Sequence, residues 1–136
     1  MSKEEMYKSA IAAAQRSGNK RAEAAASGGL AGHYGAQFVD RVMPLITSRG
    51  GPHHEFDHDI VNALHFHRRA LELYSAISDS DGIALTSFNM GSLYEHALED
   101  YTTAIACYEK AVNYARDTGA RQRYASRLAH VRQRGQ

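Results

Sequence analysis

The sequence predicts an all-α fold, an array of antiparallel helix hairpins with about six main helices, and three observations predict it. Apolar residues recur at i, i+3, i+4 and i+7 along almost the whole chain, the period of a helix with one buried face. Alanine occurs 22 times and proline twice, against 24 Leu, Ile, Val and Phe together, which suits closely packed helices better than a large aliphatic core. Short segments also repeat, and repetition of a hairpin is how helices too small to bury a face alone build a continuous core. At 136 residues the chain is read as one domain, residues 1–136.

Each element follows in order. Residues 4–17 place Tyr7, Ala10, Ile11 and Ala14 on one face, and Ser17-Gly18-Asn19 supplies a stop. Residues 20–38 are alanine-rich and end in Leu30, Tyr34 and Phe38, spaced by four. Residues 60–77 carry Ile60, Ala63, Leu64, His67, Ala70, Leu71 and Tyr74. Ser78-Asp79-Ser80-Asp81-Gly82 is turn and N-cap chemistry, and residues 82–97 then place Leu85, Phe88, Met90, Leu93 and Tyr94. Glu99-Asp100 opens a helix through Ala104, Ile105, Tyr108, Ala111, Val112 and Ala115, closed by Thr118-Gly119. Residues 120–136 form a capping helix with Tyr124, Leu128 and Val131 on one face.

Composition excludes several classes. A single cysteine, Cys107, rules out a disulfide framework and a cysteine-rich zinc site, and beside Tyr108 in a helix it reads as an inert packing thiol. No run of 18 apolar residues exists, so no membrane span is expected. Met1-Ser2-Lys3-Glu4-Glu5 is charged and has no apolar stretch after it, so no signal peptide is expected and the setting expected is cytoplasmic. No Ser-His-Asp order, phosphate-binding glycine loop or Cys-x-x-Cys is present, so the chain is read as non-enzymatic, with no cofactor.

Two kinds of helix alternate along the chain. One reads Tyr7-Lys8-Ser9-Ala10-Ile11, His67-Arg68-Arg69-Ala70-Leu71 and Tyr108-Glu109-Lys110-Ala111-Val112. The other reads Leu30-Ala31-Gly32-His33-Tyr34, Met90-Gly91-Ser92-Leu93-Tyr94 and, more weakly, Leu128-Ala129-His130-Val131-Arg132. Met90-Gly91-x-x-Tyr94 followed by Tyr101-x-x-Ala104-Ile105-x-x-Tyr108-x-x-Ala111 resembles the tetratricopeptide repeat, and the run to Gly119 resembles the longer repeats of kinesin light chains. Small residues let paired helices approach, and tyrosines fill the holes between them. One extra residue lies between Tyr94 and Tyr101, which lengthens that turn. The resemblance implies a right-handed superhelix with a concave groove and a non-catalytic role in binding a peptide segment or a second copy of the chain.

The first hairpin departs from the pattern. Tyr34 to Ala63 spans 29 residues where Tyr94 to Ala104 spans 10, an insertion of 19 residues at about 39–57. It is either a loop or a lengthening of both helices by roughly ten residues each, meeting at Ser48-Arg49-Gly50-Gly51-Pro52. The second reading is preferred, because Phe56 extends the stripe of Ile60, Ala63, Leu64, His67 and Leu71, with Pro52 in the first turn; Pro44 argues against it. The insertion also leaves Val39, Met43, Leu45 and Ile46 as a surface for self-association into a homodimer.

Candidate site residues fall into two groups. By the family alignment Gly28, Gly32 and Gly35 share the groove face of their helix, and Asn89 matches a groove asparagine that bonds a bound peptide's backbone. Arg123 and Arg127 map onto groove positions of the last helix, where five arginines meet no acid; with Asn89 they form a seat for an acidic or carboxylate-bearing segment. The carboxylate clamp that reads chaperone tails also needs polar groove residues in the first such helix, where this chain has Gly28 and Gly32. The arginines lack an aromatic platform, so nucleic acid is not the expected partner. The alternative function is a metal-binding or enzymatic role in the insertion. His54, His58 and His65 lie within roughly 40° on a helical wheel, and His54 with His58, at i and i+4, can share a divalent metal ion. The competing reading of those histidines is a solvated polar face.

Overall fold

The computed structural model describes residues 1–42 and 56–135. The described residues form six helices and no strand: α1 (Lys3–Ser17), α2 (Lys20–Val42), α3 (His58–Ala76), α4 (Ser80–His96), α5 (Tyr101–Tyr114) and α6 (Thr118–Arg134). The chain divides into two compact units, Met1–Leu73 and Tyr74–Gln136.

In the first unit, the Ser2 side chain caps α1 by accepting the Glu5 N–H at 3.1 Å. Gly18, at φ 69°, ends the helix, and its N–H and that of Asn19 return to the carbonyls of Gln15 and Ala14. That left-handed position is where glycine is needed. Asn19 Oδ1 then caps α2 by accepting the Ala22 N–H at 3.0 Å. Leu30, Tyr34 and Phe38 are buried as expected, and Val42 continues their row. Tyr7 of α1 lies over Gly29, which has no room for a side chain. Ile60, Ala63, Leu64, His67 and Ala70 bury the matching face of α3. Tyr34 stacks on Phe66, with ring centroids 6.0 Å apart, and its hydroxyl donates to Glu4 at 2.6 Å.

The lengthening of the first hairpin is uneven. Past the shared tyrosine, α2 runs eight residues to Val42, whereas α4 runs two to His96. On the descending side the expected extension is not found, because α3 starts at His58. Asp57 sets that start: its Oδ1 accepts the Asp59 N–H at 2.9 Å and the Ile60 N–H at 3.4 Å, so local capping wins over the apolar stripe. Phe56 therefore lies outside the helix and is 85% exposed, not packed. Leu73 is buried where Leu71 is only half-buried. Arg41 closes the neck, its Nη2 reaching Asp57 at 2.7 Å and Asp59 at 3.0 Å. The proposed junction at 48–52, with Pro44, Met43, Leu45 and Ile46, lies outside the described residues.

In the second unit, α4, α5 and α6 are each capped by an aspartate, Asp79, Asp100 and Asp117. The longer turn between α4 and α5 places Glu99 at φ 52°. Ser80 Oγ donates to the Tyr114 carbonyl, so the start of α4 meets the end of α5 and the pair is antiparallel. The core is the expected pairing of small residues with tyrosines. Ala84, Ala111, Ala115 and Tyr124 form one cluster, and Ala104, Tyr108, Leu128 and Val131 another. Phe88 joins them, stacked on Tyr124 at 4.7 Å and tilted on Tyr108 at 5.4 Å. A Cβ at Gly91 would lie 2.7 Å from the Tyr108 ring, which explains glycine there.

Candidate binding surface on α4 and α6

Two rows of side chains run along α4 and α6 with the same 4, 3, 4 spacing. On α4 the row is Leu85, Asn89, Ser92 and His96; on α6 it is Arg123, Arg127, His130 and Arg134. Leu85 is 49% exposed, and Asn89, His96, Arg123, His130 and Arg134 are exposed. Phe88 of α4 stacks on Tyr124 of α6 to one side of the rows, and Arg127 reaches Glu95 and His96, so the rows border one surface of the second unit.

Beneath one end of that surface lies Glu95, its side chain fully buried. The Tyr108 hydroxyl donates to it at 2.8 Å and Arg127 Nε at 2.9 Å; Arg127 Nη2 reaches its second oxygen, and Arg134 Nη1 lies 3.5 Å from that oxygen. Burial alone would raise the Glu95 pKa, but the hydrogen bonds from Arg127 and Tyr108 and the nearby charges hold it below the ordinary carboxylate value. The hydrogen bond to Glu95 raises Arg127 in turn, and burial followed by Glu95 raises Tyr108. His96 Nε2 lies 3.3 Å from Arg127 Nη2. Burial, then the nearby Arg127 and Arg134, hold His96 below its ordinary value against the pull of Glu95.

The arginines of α6 thus separate by role. Arg127, expected to meet a partner's carboxylate, meets Glu95 of the chain itself. Arg134 stands on Glu95 and over the Tyr101 ring, Arg132 pairs with Glu109 at 2.7 Å, and Arg121 Nε donates to the Ala115 carbonyl at 3.0 Å. Arg123 lies over the Tyr124 ring, and no carboxylate among the described residues pairs with it. Asn89 stands exposed one turn from Leu85. Sequence reasoning missed Glu95; the signal was its place four residues after Gly91, on the buried face.

The other expected site residues lie elsewhere. Among the described residues nothing covers Gly28, Gly32 and Gly35 on α2, and a Cβ at any of them would meet none of their atoms within 4 Å. His58 and His65 are exposed on α3, seven residues and so about 10.5 Å of rise apart. Asn62 Nδ2 lies 3.0 Å from His58 Nε2, and His65 packs edge-on against Phe66. His54, the proposed partner of His58, is outside the described residues, among which no three His, Cys, Asp or Glu side chains gather as a metal would need. Cys107 is half-buried, and burial pushes its thiol up, away from the reactive thiolate. No helix among the described residues is long and apolar enough to cross a membrane.

Comparison with family models finds the tetratricopeptide repeat over residues 40–117, from the end of α2 to Asp117. Comparison with curated proteins and with solved structures finds no match.

Proposed function

Because this chain belongs to the tetratricopeptide repeat family, whose members generally mediate protein–protein interaction, we propose that it is a non-catalytic module that binds a carboxylate-bearing peptide segment across α4 and α6. The observation that carries this is the sorting of charges on α6. Arg121, Arg127, Arg132 and Arg134 are tied to carbonyl or carboxylate oxygens of the chain, whereas Arg123, over the Tyr124 ring, is exposed and pairs with no carboxylate among the described residues; Asn89 and Leu85 are exposed on the facing row of α4. The Asn89 amide has the donor and acceptor that a peptide backbone needs, Arg123 offers a two-toothed seat for a carboxylate, and Leu85 offers apolar contact. On α2, Gly28 and Gly32 leave backbone bare for close approach by a segment laid along that helix.

The test is recovery of partners by the full chain from native extract, compared with Asn89→Ala/Arg123→Glu. Loss of the same partner from the double variant is expected, with the thermal melt unchanged. Retention of every partner would sink the reading. Sedimentation of the purified chain decides whether the occupant is a second copy: dimerisation abolished by the same double variant would replace the foreign peptide with the chain itself.

A further inference from the structure

The carboxyl end of the α4–α6 surface carries more positive charge than the chain neutralises. Arg127 and Arg134 share Glu95, so two guanidinium groups meet one carboxylate and a charge of one remains before either histidine protonates. The surplus is open to solvent and the carboxylate is not: the side chains of His96, Arg134 and Arg127 are 54%, 46% and 30% exposed, that of Glu95 0%. His130, three residues after Arg127, adds a second exposed imidazole to the same row.

The geometry at His96 couples this surplus to a proton. Arg127 Nη2 can only donate, so at 3.3 Å from it His96 Nε2 accepts while the imidazole is neutral. Protonation turns Nε2 into a donor that faces the donor Arg127 Nη2, with Glu95 Oε1 3.7 Å away already accepting from Tyr108 and Arg127. An oxyanion placed over the pair resolves the conflict by accepting from both. The groups facing His96 are Glu95 beside it on α4 and Arg127, His130 and Arg134 on α6, while from α5 Tyr108 and Tyr101 face Glu95 and Arg134.

We propose that His96, Arg127, His130 and Arg134 form a subsite for an anionic group, a carboxylate or a phosphate-like oxyanion, and that this anion and a proton on His96 bind together. The inference rests on the docking surface proposed above, of which it names the charge recognised at one end. The two equilibria are reciprocal: the anion makes His96 more basic, and protonated His96 strengthens the anion by the same factor.

The experiment titrates the histidine resonances of the full chain by NMR in sulfate and in acetate, each against chloride at matched ionic strength. Sulfate stands for phosphate because it does not itself titrate near neutrality. The His96 midpoint, assigned through His96→Gln, should rise in the anion while that of His65 stays. Sulfate affinity should strengthen as pH falls from about 8 to about 6, by no more than about tenfold per pH unit for one linked proton. His96→Gln, which leaves Glu95, Arg127 and Tyr108 in place, should flatten that dependence. A response to sulfate alone identifies a phosphate-like ligand, and a response to both admits a carboxylate; either supports the subsite. A midpoint unmoved by both anions, an equal shift at His65, or an affinity flat with pH overturns it. No partner protein is present in these titrations, so their failure leaves the Asn89 and Arg123 surface standing, and failure of that surface leaves a positive titration standing.

Discussion

Helices α2 and α4 repeat one another sixty residues apart, and they use the same frame to different ends. Ala24 and Ala84, Leu30 and Met90, and Ala31 and Gly91 are buried at matching positions, as are Ser27 and Ser87, whose hydroxyls both lack a partner among the described residues. Other positions differ. Where α4 has Phe88 and Glu95, α2 has Gly28 and Gly35. Phe88 stacks on Tyr124, and Glu95 binds Tyr108, Arg127 and Arg134. At its glycines α2 has no side chain to do either. The frame decides where small residues go; a few added side chains decide where a helix is tied by charge, α4 through Glu95 near its carboxyl end and α2 through Glu23 to Arg69 and Arg41 to Asp57 and Asp59. The same contrast marks the descending helices. Tyr108 has its hydroxyl answered by Glu95, whereas His67, in the corresponding slot of α3, is buried with Nδ1 unpartnered among the described residues.

The largest expected effect comes from breaking the tie. Arg127→Ala leaves Glu95 buried without its principal counter-charge, a loss of about 3–5 kcal/mol. Urea unfolding of the full chain measures it, with Arg132→Ala as the comparator. The Arg132–Glu109 pair is exposed on both sides, so its loss should cost under about 1 kcal/mol. Equal losses in the two variants would remove the distinction between α4 and α2 drawn from Glu95.

Next in size is the pH dependence of His67. Burial lowers its pKa to about 4 in the folded chain, from an ordinary 6.5. The unfolded chain therefore takes up protons first, and His67 lowers stability as pH falls from about 6.5 to about 4; above that window it costs nothing, and below it the loss is complete. The shift corresponds to about 3 kcal/mol. His67→Phe keeps the ring in the slot and removes the titration, so the difference between the wild-type and variant stability curves should grow through that window. Parallel curves would show that His67 titrates as if exposed.

The sequence made the frame legible and the ties illegible, for a physical reason. Helix period, aspartate caps and the pairing of glycine or alanine with tyrosine are local or evenly spaced, so α1 and α4 lie close to where their patterns put them; α5 instead ends at Tyr114, and Thr118-Gly119, expected to close it, open α6 behind the Asp117 cap. Asp57 shows the limit: capping starts α3 at His58, although the apolar stripe reached back to Phe56. On the candidate surface Asn89 and Arg123 were named from the family resemblance, and both stand exposed on their helices. Glu95 with Arg127 was not, because a charge buried on one helix is stabilised by a partner 32 residues away, and no spacing rule within a single helix announces it.

The smallest expected effects test the glycines themselves, and they carry opposite signs. Gly91→Ala drives a Cβ against the Tyr108 ring, which is fully buried and held by Glu95, so the ring cannot swing aside; the expected loss is about 1–3 kcal/mol. Gly28→Ala, Gly32→Ala and Gly35→Ala meet open space at helical φ, and each should stabilise α2 by about 0.5–1 kcal/mol, because alanine restricts the unfolded chain and favours helix. Thermal melts of the four single variants check both signs. If the three open glycines stabilise as expected, α2 carries glycine at a cost that its own packing does not explain, and close approach of a partner backbone becomes the reason for it. Combining them then gives the sharpest variant for the partner-recovery assay, more stable than the parent and altered only where the helix was bare. Neutral or destabilising melts would instead mean that the bare face is covered in the folded chain, and the contact role given to Gly28 and Gly32 would fall.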